Sequence, residues 1–452
     1  HTNTRPGLDW TAAPTQDTAA AFPPSTPPSP PIFTGFRPRQ RQLPIQSTPA
    51  AACYQMAPTL TELPCGLLTE ILLRLPAPED LARASAACPT FRRVATDGAF
   101  LRRFRRLHAP RLLAFLDLDG FQPALPPHPS APAARALALA ADFSFSFLPS
   151  HCRWAPMDVR DGRVLLGRDH GQDARPPICR ELAVCDPLHR RYVLLPPVPD
   201  ALVASAERPP PVRRRPFDEP LLLPLGENDE GTAFTVISMV HCETKLAPFV
   251  FSSTTGQWRA AAPMLWSAMP VPPMDHTYLR RHHAYGCFYW ESTLIKRREL
   301  LVLNIQSMEF SIAELPSSSW GTLGVAIVEA GEGRLGLFGI RDGTAGGKPD
   351  LCYTVRRNKG KNSGQWQMVK TFSLGSEGLN YIKAATERYV LLICSEAPRF
   401  VGLSMVMPDL EYISVDVKKL QLERVCLKPF GNSLSRTRIY AHFPPSLSSP
   451  TI

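Results

Sequence analysis

Short apolar strands that recur about every 55 residues constrain this chain more than any other feature. In the three clearest copies an apolar run is followed, six residues after its turn-side end, by an aromatic residue. Leu182–Asp186 leads to Tyr192, Phe249–Ser252 to Trp258 and Leu301–Asn304 to Phe310. Leu351–Val355 with Trp366, across a longer Gly/Asn/Lys loop, and Val401–Met405 with Tyr412 read as weaker copies. The five aromatics stand 66, 52, 56 and 46 residues apart. Each pair is preceded by a further apolar or alternating stretch: Gly162–Gly167, Phe234–Val240, Ala284–Trp290, Val325–Val328 and Tyr389–Cys394. Four short strands in roughly 50 residues cannot bury both faces of their own sheet, so such units stack radially as propeller blades.

The pattern predicts an all-β propeller of about six blades over residues 111–445. Arg111–Leu118 reads as a first strand, 121–137 as a Pro/Ala-rich loop, and Asp142–Leu148 as a half-buried strand because aromatic and polar residues alternate. Ring closure is expected either from strands within 425–443 or from the strand near Asp142. Residues 203–230 read as an exposed insertion into the second blade, with a short basic run, Arg213–Arg215, as a candidate import signal.

Ahead of the repeats, residues 63–107 are helical in pattern. Leu63, Leu67, Ile71 and Leu75 fall every fourth residue, on one stripe with Leu68 and Leu72 alongside. Pro64 suits a first turn and Pro76 ends the segment. Pro78, Glu79 and Asp80 open a second helix that points Leu81, Ala84 and Ala87 inward. Phe91 and Val94 belong to a short third helix, and Phe100, Phe104 and Leu107 to a fourth. Four short helices in under fifty residues bury too little apolar surface to stand comfortably alone, so part of the stripe needs a partner.

Leu63-Pro64, the run Ile71–Pro76, Asp80-Leu81, Cys88 and Asp97–Phe100 together resemble an F-box. The chain departs from that pattern at Phe91, where the family usually has Trp, and at Gly98, where it usually has Pro. The later repeats are similar to the kelch-like, F-box-associated β-propeller domain of plant F-box proteins. The resemblance implies an α+β multidomain chain, with a small all-α F-box unit (58–110) before an all-β propeller-like domain (111–445). Residues 1–57 and 446–452 are expected to be disordered tails. It also implies a non-catalytic substrate-recognition subunit of a Skp-cullin-F-box ubiquitin ligase. The Skp-family adaptor would be met by Leu63, Pro64, Leu67, Ile71, Leu75, Pro76, Leu81 and Phe91, and through it a cullin scaffold; the propeller would present a protein substrate of unknown identity. A propeller-based small-ligand sensor or enzyme tethered through the F-box, or a non-ligase interaction scaffold, is the alternative.

Composition narrows the remaining classes. The chain has 452 residues and a net charge of +10. Residues 1–55 carry four Arg and two Asp, and 56–116 carry nine Arg and five acids, so the basic character gathers around the helices. Arg102, Arg103, Arg105 and Arg106 lie opposite Phe100 and Phe104, as on any solvated amphipathic helix, which disfavours nucleic-acid binding. Eleven cysteines without a repeated short spacing argue against a disulfide framework. There is no run of eighteen apolar residues and no Asn-x-Ser/Thr site, so no membrane partner is expected, and a cytosolic or nuclear setting follows. The forty-nine prolines concentrate in 22–58, 122–132 and 196–224. Because the sequence starts at His1 and Met56 stands just before the helices, residues 1–55 read as an upstream extension or an optional tail.

No motif carries chemistry. Gly331-Glu-Gly333-Arg-Leu-Gly336 matches a dinucleotide fingerprint, but a strand follows it where that motif needs a helix, so it reads as a hairpin turn. Gly343–Lys348 lacks Walker spacing, and Pro349 replaces the magnesium-holding hydroxyl. Cys179, Cys185 and His189, or His282, His283 and Cys287, could each offer zinc three ligands but no fourth at a familiar spacing, so they read as core packing. No cofactor or metal is expected. Partner contacts are expected on loops around 203–230, 267–281 and 341–364.

Overall fold

The computed structural model describes residues 63–442 except 77, 109–110, 150–152, 170–178, 206–217, 225–232, 243, 269–279, 292–298, 317–323, 342–347, 357–364, 376–377, 402–403 and 431–435. The two expected tails, the basic run Arg213–Arg215, most of the Gly343–Lys348 run and much of the three expected contact loops lie outside the described residues.

Four helices form where the spacing predicts them: α1 (Cys65–Leu73), α2 (Pro78–Ala87), α3 (Pro89–Ala95) and α4 (Gly98–Leu107). Pro78 and Pro89 each open a helix, where the missing N–H leaves no bond unmade. Asp97 caps α4 by accepting a hydrogen bond from the Phe100 N–H at 2.8 Å. Leu68, Leu72, Leu73, Leu81, Val94, Phe100 and Phe104 make the shared interior. Each fully buried Leu or Phe contributes about 1.5–3 kcal/mol. Ala87 and Leu107, expected to face inward, are exposed. His108 fills the place expected for Leu107: its ring stacks on Phe104 at 4.0 Å, and its Nε2 lies 2.8 Å from the Leu73 carbonyl oxygen.

The remainder is a six-bladed β-propeller. After β1 (Leu112–Asp117), β2 (Gly120–Pro123) and a helix α5 (Ala131–Ala140), blade one comprises β3 (Arg153–Arg160), β4 (Arg163–Asp169), β5 (Leu182–Asp186) and β6 (Arg191–Leu194). A short helix α6 (Asp200–Ser205) leads to blade two, β7 (Asp218–Leu222), β8 (Thr235–His241), β9 (Lys245–Ser252) and β10 (Gln257–Ala260), with β11 (Met264–Leu265) pairing the start of β9. Blade three is β12 (Arg280–Ala284), β13 (Cys287–Glu291), β14 (Glu299–Asn304) and β15 (Glu309–Glu314). Blade four is β16 (Val325–Glu329), β17 (Leu335–Arg341), β18 (Asp350–Arg356) and β19 (Trp366–Ser373). Blade five begins with β20 (Asn380–Ala385) and β21 (Tyr389–Cys394). It makes a hairpin excursion, β22 (Arg399–Val401) and β23 (Ser404–Val406), and resumes with β24 (Leu410–Asp416) and β25 (Gln421–Lys428). The last strand, β26 (Arg438–Ala441), pairs antiparallel with β1, so the two ends of the propeller segment share the three-stranded blade six, β26-β1-β2.

One turn recurs between the third and fourth strands. Asp186, Ser252, Asn304 and Asp416 each end a third strand, and four residues later Arg190, Gly256, Met308 and Leu420 take positive φ of 53°, 67°, 56° and 51°. The Asp186, Asn304 and Asp416 carboxylate or amide oxygens accept from the N–H groups two and three residues on at 2.9–3.1 Å. A chain that reverses this way puts residue i+6 on the fourth strand, where Tyr192, Trp258, Phe310 and Leu422 stand.

Several expectations change. Asp142–Leu148 is not a strand: Asp142 caps Ser144 and Ser146, Phe145 takes φ 55°, and Phe143 packs on Phe121 (3.7 Å) and Tyr440 (5.2 Å). Residues 121–137 hold β2 and most of α5, whose Ala134 and Leu137 pack on blade six. Residues 203–230 are not one insertion, because 218–222 form the innermost strand of blade two. In the fifth copy the repeat is Asp416–Leu422 and not Val401–Tyr412. Of the two expected routes to ring closure, the one within 425–443 holds, because β26 pairs with β1, although 425–428 belongs to β25. Gly331–Gly333 is the expected hairpin turn, joining β16 to β17.

Candidate functional site

The first strands of the blades lie side by side around the propeller axis, and they carry charge. Four of these side chains meet. Arg281 of β12 reaches Asp158 of β3 at 2.5 Å and Glu219 of β7 at 3.2 Å, and Arg438 of β26 approaches the same two carboxylates at 3.7 and 3.8 Å. Trp290 donates its indole N–H to Glu219 at 3.0 Å, the Leu222 N–H donates to Asp158 at 2.9 Å, and Arg438 Nε–H donates to the Met157 carbonyl at 2.9 Å. The Arg281, Asp158 and Glu219 side chains are 5, 5 and 2% exposed. Buried charges persist only when paired and hydrogen-bonded, and here two carboxylates balance two guanidinium groups. Burial, reinforced by the neighbouring Arg281 charge, pushes Arg438 down to about 10, which leaves it a cation at neutral pH.

A second layer lies toward the turns that end these inner strands. Arg160 of β3 pairs with Glu387 at 2.7 Å, and the same carboxylate oxygen hydrogen-bonds His283 Nδ1 of β12. Burial by itself would raise the Glu387 pKa; Arg160 and His283 outweigh it and hold the carboxyl well below the usual range. The Phe288 ring stands between the layers, with the Arg281 and Arg160 guanidinium carbons 5.5 and 5.7 Å from its centre. Blades one, two, three, five and six are therefore pinned together at the axis by charges that satisfy one another.

The helical unit offers a different kind of surface. On α1, Leu68 and Leu72 turn into the interior while Leu67 and Ile71 remain 56 and 42% exposed. Pro64 and Pro76 are exposed, Leu63 and Leu75 half-buried. Leu81 and Phe91 sit apart from these: Leu81 is buried in the interior, and Phe91 is half-buried against it. The expected contact set thus divides into an outward group on and beside α1 and an inward group that supports it. Arg103 pairs with Glu70 at 2.6 Å across α4 and α1, both side chains about half exposed.

The residues considered for zinc are placed apart in role. Cys185 is buried in blade one, where burial and Asp186 raise its thiol pKa, and His189 Nδ1 bonds Asp186 at 2.6 Å. His283 is committed to Glu387. Among the described residues, no three His, Cys, Asp or Glu side chains cluster as metal ligands, and no helix is long and apolar enough to cross a membrane.

With this geometry in view, the chain can be set beside known proteins. No family model matches it. No curated protein matches it either. Among solved structures, the NanB sialidase of Streptococcus pneumoniae is 9% identical, with a TM-score of 0.32, over 54% of this chain and 36% of its own. A putative TolB from Agrobacterium tumefaciens is 11% identical, TM-score 0.31, over 66% of this chain and 93% of its own. The β-propeller domain of the Trilobed protease from Pyrococcus furiosus is 7% identical, TM-score 0.29, over 62% and 82%. The chain thus spans about a third of the sialidase's length. Overlaps this loose carry no argument about activity, and the propeller assignment rests on the strand pairing itself.

Proposed function

We propose that this protein is a substrate-recognition subunit of a Skp-cullin-F-box ubiquitin ligase. The four helices dock on the Skp-family subunit and, through it, on a cullin, and the propeller holds the protein to be modified. The observation that carries this reading is on α1, where Leu67 and Ile71 are left outside a helical interior that already contains Leu68, Leu72 and Leu73. Two large apolar side chains side by side on one exposed turn suit a protein contact. They fall within the stretch that resembles an F-box. The propeller supports the reading by offering a rigid scaffold whose blade loops can bind a protein.

Such a subunit needs no acid, base or nucleophile of its own. It acts by proximity, raising the local concentration of a target lysine beside the ubiquitin-carrying enzyme. The alternative of a small-ligand site at the ring centre is less well supported, because the axial side chains of five blades are engaged with one another. The test is co-expression with a Skp-family subunit. The chain should capture it, and Leu67→Asp/Ile71→Asp should abolish capture while the circular-dichroism spectrum and melting midpoint stay unchanged. Equal capture by the double variant would refute the docking face.

A further inference from the structure

Blades four and five enclose a groove of about 620 Å3, walled by the β16–β17 turn, the end of β18, the start of β19 and the β24–β25 turn. Its lining is unbalanced in charge. Arg334, Arg356 and Lys418 line it, against one acid, Glu329, which already accepts the Tyr285 N–H at 2.8 Å. Arg356 and Lys418 are exposed and make no ion pair among the described residues. Arg334 forms an ion pair with Glu332, 3.3 Å away with a side chain 82% exposed, and its Nε is buried without a hydrogen-bond partner among the described residues.

Tyr353 supplies the second, independent observation. It is 5% exposed, its ring stacks on Phe338 at 4.4 Å, and its hydroxyl has no hydrogen-bond partner among the described residues. Gly336, third glycine of the run that resembles a dinucleotide fingerprint, makes room for it: a Cβ there would meet the Tyr353 hydroxyl at 3.0 Å. A hydroxyl that lines a groove can donate to a bound acceptor, and a groove that supplies donors and cations suits an anionic one.

The remaining lining says what carries the anion. Met368 and Val369 are 40 and 52% exposed along one side, so the occupant is amphipathic and not a bare ion. The β18–β19 register slips between Tyr353↔Lys370 and Thr354↔Met368, which makes Val369 a bulge and interrupts β19 as a continuous pairing edge. Recognition here is therefore by side chains and not by strand addition. We propose that this groove holds an acidic, extended segment of a partner protein, with one carboxylate received by the Tyr353 hydroxyl and Arg334 and flanking acids met by Arg356 and Lys418. The inference deepens the reading of the propeller as the substrate-binding half and rests on it.

The test uses the full chain and a fluorescein-labelled octapeptide of alternating Glu and Leu, followed by fluorescence polarisation. A Lys/Leu octapeptide and an oligothymidine of equal charge serve as comparisons. The Glu/Leu peptide should bind, the Lys/Leu peptide should not, and Arg356→Glu/Lys418→Glu should weaken binding at least about tenfold, as expected for reversing two rim charges. Tyr353→Phe, which keeps the packed ring, should weaken it by a smaller factor. Adaptor capture should be untouched by all of these variants, so failure of the parent chain to bind the Glu/Leu peptide, with capture retained, sinks this groove and spares the ligase reading. Unchanged peptide binding in the charge-reversed variant, or tighter binding of the oligothymidine, would overturn the proposal.

Discussion

Replacing Arg281 probes the axial network most severely. Arg281→Met removes one of two cations shared by Asp158 and Glu219, both about 95% buried or more, and leaves them facing Arg438 alone at 3.7 and 3.8 Å. Breaking a buried ion pair by deleting one partner costs about 3–5 kcal/mol, because a charge is left uncompensated in low dielectric. A propeller of about 330 residues unfolds with an entropy near 0.7 kcal/mol/K, so the melting midpoint should fall by about 4–7 °C. Methionine retains contact with the Phe288 ring, so little of the loss comes from packing. The decisive control is Arg281→Met/Glu219→Gln. It removes one charge of each sign, keeps an acceptor for the Trp290 N–H, and leaves Asp158 opposite Arg438. The double variant should regain at least half the loss in differential scanning calorimetry. A single variant that melts within about 1 °C of the parent, or a double no better than the single, would refute the charge-balance argument.

Other outcomes follow from the same structure. Because the folded Glu387 pKa is depressed, its contribution to stability is present above the unfolded carboxylate range and lost as pH falls through the folded value. The stability gap between the parent and Glu387→Gln, read by urea unfolding, should be full above about pH 5 and narrow steadily below it. At the recurrent turn, Gly256→Ala should cost about 1 kcal/mol, since φ is 67° and nothing crowds the new Cβ, whereas Arg190→Gly at φ 53° should be neutral or stabilise by up to about 1 kcal/mol. In the helical unit, Leu68→Ala should destabilise by about 2–5 kcal/mol and Leu67→Ala by under about 0.5, although the two are neighbours in sequence.

The outer hairpins were legible because two properties coincide there. Apolar strands such as Leu182–Asp186 pack against neighbouring blades, and the turn that follows has a fixed length, held in three blades by a capping Asp or Asn. The inner strands of blades two and three were not legible for the opposite reason, whereas that of blade four, Val325–Val328, was. Asp218–Leu222 falls in the expected insertion 203–230 and Arg280-Arg281 in the expected loop 267–281, yet Glu219 and Arg281 face the axis and pair there. A run such as Arg-Arg-His-His ahead of an aromatic strand is the one local signal that could have marked them. Asp142–Leu148 misled because alternating Phe residues also arise when Asp142 folds the chain into successive turns. Blade five misled because β22 and β23 place a hairpin inside it, shifting its third and fourth strands. On the helical unit, the four-residue stripe located α1, but which apolar residues are covered depends on α3 and α4, and the stripe does not report them.

The proposed role has residues 63–107 coupling a substrate-binding propeller to a ligase scaffold. Titration calorimetry of the full chain with a purified Skp-family subunit decides whether that coupling exists. The expected result is one-to-one binding with a negative heat-capacity change from apolar burial, eliminated by Leu67→Asp/Ile71→Asp and unaffected by Arg356→Glu/Lys418→Glu. Absence of binding by the parent chain, or binding that survives at equal strength in Leu67→Asp/Ile71→Asp, would contradict it.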